Sequence, residues 1–365
     1  MTAWLTIEHS PNGSRAPFVA RVESVGRSLP AKRLTTDELM SSTRHRTRID
    51  LERLTGIHER RVSSGDEDSF SLATAAAGDC LERSDHGAGD LDVVVSCSIT
   101  KYRGGLVQRF EPPMSLAVAQ AIGASRAVTF DLANACAGML TGVFVLNNWI
   151  RRGMIRRGLV VSGEYISSLG RNATRHVRSI MSRELASLTL GDAGAAVLLE
   201  RAEDGTPGIS LTGFTTVAHH SRLCLAYPAH HEPGARMFTK SQALQRAAIA
   251  DVPVLLQEAL EASGLTLGDI DHVIPHQTSV RAIRKGMSHI RTTLGAPRNP
   301  AVVTVDRYGN TASTTHFVAL AEELEAGRVQ VGDRVALVAL ASGLEIGVVL
   351  LTVDERLVRS HGHHD

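Results

Sequence analysis

Residues 130–140 read FDLANACAGML, which sets a cysteine between an apolar, strand-like run and small residues that open a helix. A free cysteine ordinarily packs as a small hydrophobe. Here Ala135, Ala137 and Gly138 flank Cys136 and leave its sulfur uncovered, a poor way to fill a core. A strand-to-helix junction also offers unpaired backbone N–H groups and the positive end of the helix dipole, which favour a thiolate. Cys136 is therefore a candidate nucleophile, with a packed core thiol as the alternative reading. Cys80 and Cys97, in helical and strand-like contexts, read as core thiols.

The order around this junction occurs twice along the chain. In the first half, LDVVVSCS (91–98) and AVTFDLANA (127–135) read as strands. The helix AGMLTGVFVLNNWIRRG (137–153) and the strand RGLVVSGE (157–164) follow. In the second half, IDHVIPHQ (270–277) and VVTVDRYGN (302–310) read as strands, before the helix STTHFVALAEELEAG (313–327) and the strand DRVALVALASG (333–343). Strands that are apolar throughout, alternating with helices, predict parallel sheets covered on both faces. The repeat, about 150 residues on the usual domain scale, predicts two like α/β halves. The alternative is the general self-similarity of α/β proteins. Two irregular segments, 165–188 and 216–240, interrupt the pattern, and insertions of this kind form lids or tunnel walls. The tail RSHGHHD (359–365) is expected to be disordered.

Composition narrows the function. The chain of 365 residues is 43% hydrophobic and 21% charged, the balance of an ordinary globular protein. Its 39 Lys and Arg nearly cancel 38 Asp and Glu, so no basic field points to nucleic acid. Four dispersed cysteines without CxxC spacing indicate neither a zinc site nor a disulfide framework. The pairs His219–His220 and His230–His231 diverge as adjacent side chains and have no carboxylate cluster beside them, so no metal is expected. The opening MTAWLTIEHSPNGSR lacks the basic and apolar regions of a signal peptide. The tract RVALVALASGLEIGVVLLTV (334–353) is broken by Arg334, Glu345 and glycines. It reads as two buried strands around a tight turn and not as a membrane span. A cytoplasmic protein with no nucleic-acid or membrane partner is expected.

Two further residues occupy the chemistry-bearing position at a strand's carboxyl end. His276 follows the strand in VIPHQ, and Asn310 follows Gly309 in a tight turn. Each alone is more often structural, Asn after Gly being an ordinary turn residue. Cys, His and Asn at three such ends can converge on one crevice. Asn134 is read as shaping the turn before Cys136.

These stretches resemble a family. ANACAG (133–138), PHQ (275–277), DRYGNTAS (306–313) and ASGLEIG (341–347) are similar to the β-ketoacyl-ACP synthase III branch of the thiolase superfamily. So are TGIHERR (55–61) and LGDAGAAVLL (190–199), and the similarity runs nearly the whole chain in order and spacing. The resemblance implies an α/β fold of duplicated, thiolase-like βαβαβαββ halves in a layered α-β-α-β-α architecture. The expected division is residues 1–205, with Cys136 and the insertion 165–188, and residues 206–365, with His276 and Asn310. It further implies that Cys136 accepts an acyl group and that His276 and Asn310 hold the second thioester's carbonyl oxygen. Backbone N–H groups of Cys136 and Gly343 would form the oxyanion hole. The implied reaction is a Claisen condensation, with CoA or phosphopantetheine thioesters as substrates and no cofactor. The implied partners are acyl-CoA or an acyl carrier protein and a second copy of the chain.

The chain departs from the family in two places. Where primer-binding members carry the Trp and Arg that clamp CoA adenine, RIDLERLTGI (48–57) has Asp50 and Leu54. Either CoA binds differently or the donor is a carrier protein. Where many members have Phe-Pro, QRFEPPMS (108–115) has Glu111 before Pro112. This resembles the head-to-head condensing enzymes of olefin and β-lactone pathways, as do RELASLTLG (183–191) and SRLCL (221–225). There a partner-subunit glutamate is the general base, because no CO₂ leaves to generate the carbanion. The alternative for Glu111 is a loop cap or an ion pair with Arg103 or Arg109. GNTASTTHF (309–317) is closer to ordinary synthase III, which keeps malonyl-dependent chain initiation open, and polyketide enzymes that fuse two carrier-bound chains fit the same residues. Arg281, Arg284 and Lys285 follow His276 at helical spacing. They are either a carrier-protein surface or a solvated basic face. Transfer of the Cys136 acyl group to a hydroxyl or amine, and a catalytically silent partner subunit, are the remaining alternatives.

Overall fold

Two mixed sheets, each covered on both faces, organise the chain. The structure is a computed structural model that describes residues 4–6, 18–45, 47–203 and 205–362. Apart from the short antiparallel pair Arg33–Thr35 and Glu59–Arg61, the strands in chain order are β1 (Trp4–Thr6), β2 (Ala20–Ser28), β3 (Val93–Ser96), β4 (Val128–Asp131), β5 (Arg157–Glu164) and β6 (Ala193–Arg201). There follow β7 (Ile209–Thr216), β8 (Cys224–Pro228), β9 (Ala235–Thr239), β10 (His272–Pro275), β11 (Arg334–Ala341) and β12 (Glu345–Thr352). One five-stranded sheet has the order β2-β6-β5-β3-β4, the other β1-β7-β12-β11-β10, and β8 and β9 form a separate hairpin. Five helices matter below: α1 (Ser69–Glu82), α2 (Gly138–Arg151), α3 (Ser241–Ala262), α4 (Val280–Leu294) and α5 (Thr315–Glu325).

Period-two alternation explains why these strands read as unbroken apolar runs. On β6, Ala195, Val197 and Leu199 point to the central core, whereas Ala196 and Leu198 point to the outer helices. The central core holds α2 through Leu140, Val143 and Leu146 and α5 through Phe317, Leu320 and Leu324. Inner residues of both sheets, Val197 and Leu337 among them, close over these helices. Outside the first sheet, α1 buries Ala73, Ala76 and Ala77 on Val94 and Leu159. Outside the second, Leu256 and Leu260 of α3 and Ile290 of α4 cover Val273 and Val338. The result is a layered α-β-α-β-α architecture. The first sheet admits α1 at very short range. A Cβ at Gly194 would lie 2.1 Å from the Leu72 carbonyl oxygen, and one at Gly26 2.3 Å from that of Ala76.

Three expectations are corrected. The sheets are not wholly parallel. Only β3/β4, β3/β5 and β10/β11 pair in parallel, the rest being antiparallel. Buried antiparallel strands are as apolar as parallel ones when helices cover both faces. The stretch 302–310 is not a strand. It turns into a short helix, Val305–Tyr308, because Gln277 Oε1 accepts the N–H groups of Thr304 (2.9 Å) and Val305 (3.2 Å). In the tail, Ser360 and His361 are buried, and His361 Nε2 bonds the Val25 carbonyl at 2.9 Å. Residues 363–365, and the opening 1–15 apart from Trp4–Thr6, lie outside the described residues. Among the described residues no helix is long and apolar enough to cross a membrane.

Candidate active site

Two turns, one after β4 and one before α5, meet at the middle of the molecule. Cys136 lies in the single 3-10 turn Ala135–Ala137 ahead of α2, and Ala312–Thr314 forms its counterpart after Asn310. The turns pack on each other, and the first also packs on β11 and β12. Each bends through an alanine with positive φ, Ala135 at 44° and Ala312 at 55°. Non-glycine residues in that region cost about 1–3 kcal/mol and persist only where the surroundings enforce them.

Asn310 is pinned by the other half. Its N–H donates to Thr189 O (2.8 Å), and its carbonyl accepts from Gly191 N–H (3.0 Å). The approach leaves no side-chain room, since a Cβ at Gly191 would sit 2.0 Å from Tyr308 O. The carboxamide is oriented as well. Asn310 Oδ1 accepts the Ala312 N–H at 2.9 Å, which turns its NH₂ away as a free donor. His276 follows β10, with its backbone N–H bonded to Val338 O at 2.9 Å. Cys136, His276 and Asn310 all line one cavity of about 1240 Å³. Both insertions contribute to its wall, through Leu169 and Leu185 and through Leu225 and Met237.

Electrostatics separate the three groups. Burial is the largest cause lowering His276, to about 3, and neighbouring His316 adds to it. The imidazole is therefore neutral and carries one N–H. Its Nδ1 is buried without a partner among the described residues, so a donor role requires the proton on Nε2. Cys136 departs from the expectation of an activated thiolate. Burial raises its thiol above the ordinary value, and Cys224 and Glu164 push in the same direction. The resting group is a thiol, because a one-turn 3-10 helix start does not offset that shell.

The remaining expected residues are more scattered. Glu111 is exposed and lines a separate pocket of about 490 Å³ with Arg103 and Arg109. It does not line the cavity that holds Cys136. Its loop, anchored by Lys101 Nζ to Asp131 at 2.6 Å, leaves Phe110 79% exposed. Gly343 lies in the turn between β11 and β12 at φ 146°, next to the cavity-lining Ser342. Arg281 and Lys285 stand at the cavity on α4, Arg284 is exposed beside them, and none forms an ion pair among the described residues. Asp50 caps the short helix Leu51–Thr55 by accepting the Arg53 N–H (2.8 Å), and Leu54 lines the cavity. Among the described residues no cluster of three or more His, Cys, Asp or Glu is placed to hold a metal ion.

Four supporting residues escaped sequence reasoning. Glu164, fully buried at the end of β5, accepts from Ile99 N–H (2.9 Å), Thr100 N–H (3.1 Å) and the Ser313 hydroxyl, tying the first half to the Asn310 turn. Asp192 receives the N–H groups of Ser63 and Ser167, both at 2.7 Å, and fixes the start of the 165–188 insertion. Gln277 bridges β10 to the 302–305 segment. His316 Nε2 donates to Val338 O at 3.1 Å, the same carbonyl that holds His276. A carboxylate ending an otherwise apolar strand, as in VVSGE, was the available signal for Glu164.

This layered arrangement defines a thiolase-type fold. OleA of Xanthomonas campestris shares it, with a TM-score of 0.80 at 23% identity over 92% of this chain and 98% of that one. The 3-oxoacyl-ACP synthase III of Aquifex aeolicus gives 0.77 at 25% identity, over 92% and 100%. Residues 130–217 match the profile of 3-oxoacyl-ACP synthase III, and 260–353 that of its C-terminal region. Curated relatives include β-ketoacyl-ACP synthase III 1 of Bacillus cereus, 27% identical over 90% of this chain and 96% of that protein. The synthase III of Symbiobacterium thermophilum is 29% identical, over 90% and 97%. The chain is a synthase III-like condensing enzyme of the acyltransferase class.

Proposed function

We propose that the enzyme loads an acyl group on Cys136 and joins it head to head with a second acyl thioester. The observation that carries this reading is the shared cavity, apolar and about 1240 Å³, on which Cys136, His276 and Asn310 all border. Small-molecule sites usually run to about 300–1,000 Å³. A short primer needs far less space.

The Cys136 thiol loses its proton and its sulfur attacks the first thioester, whose thiol leaves carrying a proton. The oxyanion in this step rests on the N–H groups of Cys136 and Gly343. Glu111 of the partner subunit then removes a proton from the α-carbon of the second thioester. The enolate oxygen is held by His276 Nε2–H and the Asn310 amide, two neutral donors that ask for no proton back. The carbanion attacks the acyl-Cys136 carbonyl, the carbon–sulfur bond breaks, and the proton on Glu111 restores the thiol. The product is a β-ketoacyl thioester. Exposed Phe110 and the exposed loop around Glu111 favour a second copy covering this edge. Arg281 and Lys285 at the mouth suit the phosphates of CoA or an acidic carrier protein.

A second reading, decarboxylative initiation from a malonyl thioester, is favoured by the named activity of the sequence relatives. Malonyl thioester labelled in its free carboxyl decides between the two, since release of label as CO₂ refutes the first. Glu111→Ala abolishes head-to-head joining and spares decarboxylation. Intact-mass spectrometry after incubation with acyl-CoA tests the shared first step. An adduct that persists in Cys136→Ser overturns it.

A further inference from the structure

Glu164 is a fully buried carboxylate that the chemistry proposed above leaves unused. Five donors converge on it. Oε1 accepts from Ile99 N–H at 2.9 Å and from the hydroxyls of Ser162 (3.2 Å) and Ser313. Oε2 accepts from Thr100 N–H and from the Thr100 hydroxyl, both at 3.1 Å. The Ser162 and Ser313 hydroxyls are themselves 2.7 Å apart. Ile99 and Thr100 line the cavity that holds Cys136, whereas Ser313 belongs to the turn Ala312–Thr314 from the other half. Between Ser313 and the Asn310 turn stands Ala312, whose N–H orients Asn310 Oδ1 and whose φ of 55° persists only under an outside constraint.

We infer that Glu164 is a positioning residue for the condensation step: through Ser313 its carboxylate holds the Ala312 turn, and with it the pose in which the Asn310 NH₂ meets the second thioester's oxygen. The inference rests on the reading in which His276 and Asn310 hold that oxygen. It applies to head-to-head joining and to decarboxylative initiation alike. A donor displaced by an ångström costs about a hundredfold in rate, so a rigid tether behind the turn has a kinetic consequence. Only a carboxylate suits the place, because both of its oxygens accept. The NH₂ of a glutamine would have to face the N–H of Ile99 or of Thr100. Burial raises Glu164, and the donors around it oppose that rise. The titratable groups facing it are Cys97, Tyr102 and Cys136. Cys136, raised first by burial, is raised further by Cys224 and by this carboxylate, so removing the charge does not slow loading of the thiol.

The test separates the two half-reactions. Acylation of Cys136 by myristoyl-CoA is timed by intact-mass spectrometry, and condensation is followed as kcat for product, from myristoyl-CoA alone and with a malonyl thioester added. Ser313→Ala cuts the tether and keeps the charge. The expected result is a fall of about tenfold or more in kcat with the acylation rate unchanged. Glu164→Gln gives the same fall without slower acylation, and it serves if the first variant unfolds early on heating. The double variant is no slower than Glu164→Gln alone, because both substitutions break one link. Unchanged kcat in both variants overturns the inference. So does an equal fall in acylation and condensation, which marks a merely structural role, or full additivity in the double variant. Asn310→Ala is the control for the parent reading. If it condenses at the wild-type rate, that reading fails and not merely the tether.

Discussion

His276 and His316 make the folded state sensitive to acid, and the size of the effect follows from their burial. Burial lowers both, to about 3 and about 4 from an ordinary 6.5. A group depressed in this way contributes stability above its unfolded value and loses it as pH falls toward the folded one. Each pH unit below the unfolded value costs about 1.4 kcal/mol per ring, so each ring accounts for about 2 kcal/mol lost by pH 5. His316→Phe isolates one of the two. Val338 O keeps the His276 N–H at 2.9 Å, so the substitution strands no carbonyl. Guanidinium denaturation at pH 7 and at pH 5 gives the readout. The variant loses about 2 kcal/mol less than wild type over that interval. Equal losses in the two proteins would refute the argument that both rings fold in neutral form.

The other predictions are more local. Gln277→Ala removes the acceptor of two buried backbone N–H groups, Thr304 and Val305, and costs about 2–5 kcal/mol by calorimetry. A loss under about 1 kcal/mol would show that water replaces the amide. Gly194→Ala drives a methyl against the Leu72 carbonyl and forces α1 off the sheet, lowering stability by more than about 2 kcal/mol. An unchanged denaturation midpoint would contradict that close approach. Cys136, held as a thiol by its surroundings, reacts with iodoacetamide at pH 8 at least tenfold more slowly than free cysteine and accelerates with pH well beyond the usual thiol range. Rapid labelling at pH 7 would reverse this assignment.

Much of the layout was legible because its causes are local. The helix at 137–153 and the strand at 157–164 were read nearly to their observed ends, since small residues, apolar runs and RRG turns mark them in sequence. The stretch 302–310 was misread because Gln277, a distant residue, captures the N–H groups that a strand would have used. Strand direction was misjudged for a related reason. Burial on both faces erases the alternation that distinguishes an antiparallel strand. At the site, residues at strand ends were recognisable one by one. The state of the Cys136 thiol was not, because it depends on a shell of protein that only the folded chain assembles. Glu164 and His316 were hidden for the same reason, since their partners, Ser313 and Val338, are remote in sequence.

The backbone clasp on Asn310 constrains how this enzyme can be retuned. Thr189 and Gly191, which grip it, directly follow the insertion that forms part of the tunnel. An engineer who transplants that insertion from another synthase cannot treat it as a free cassette. A graft whose downstream seam falls at or beyond Thr189 moves the carboxamide along with the tunnel wall, trading turnover for selectivity. A seam kept upstream of Ser187 leaves the clasp native, so libraries confined to 165–186 are the ones in which substrate range varies independently of rate.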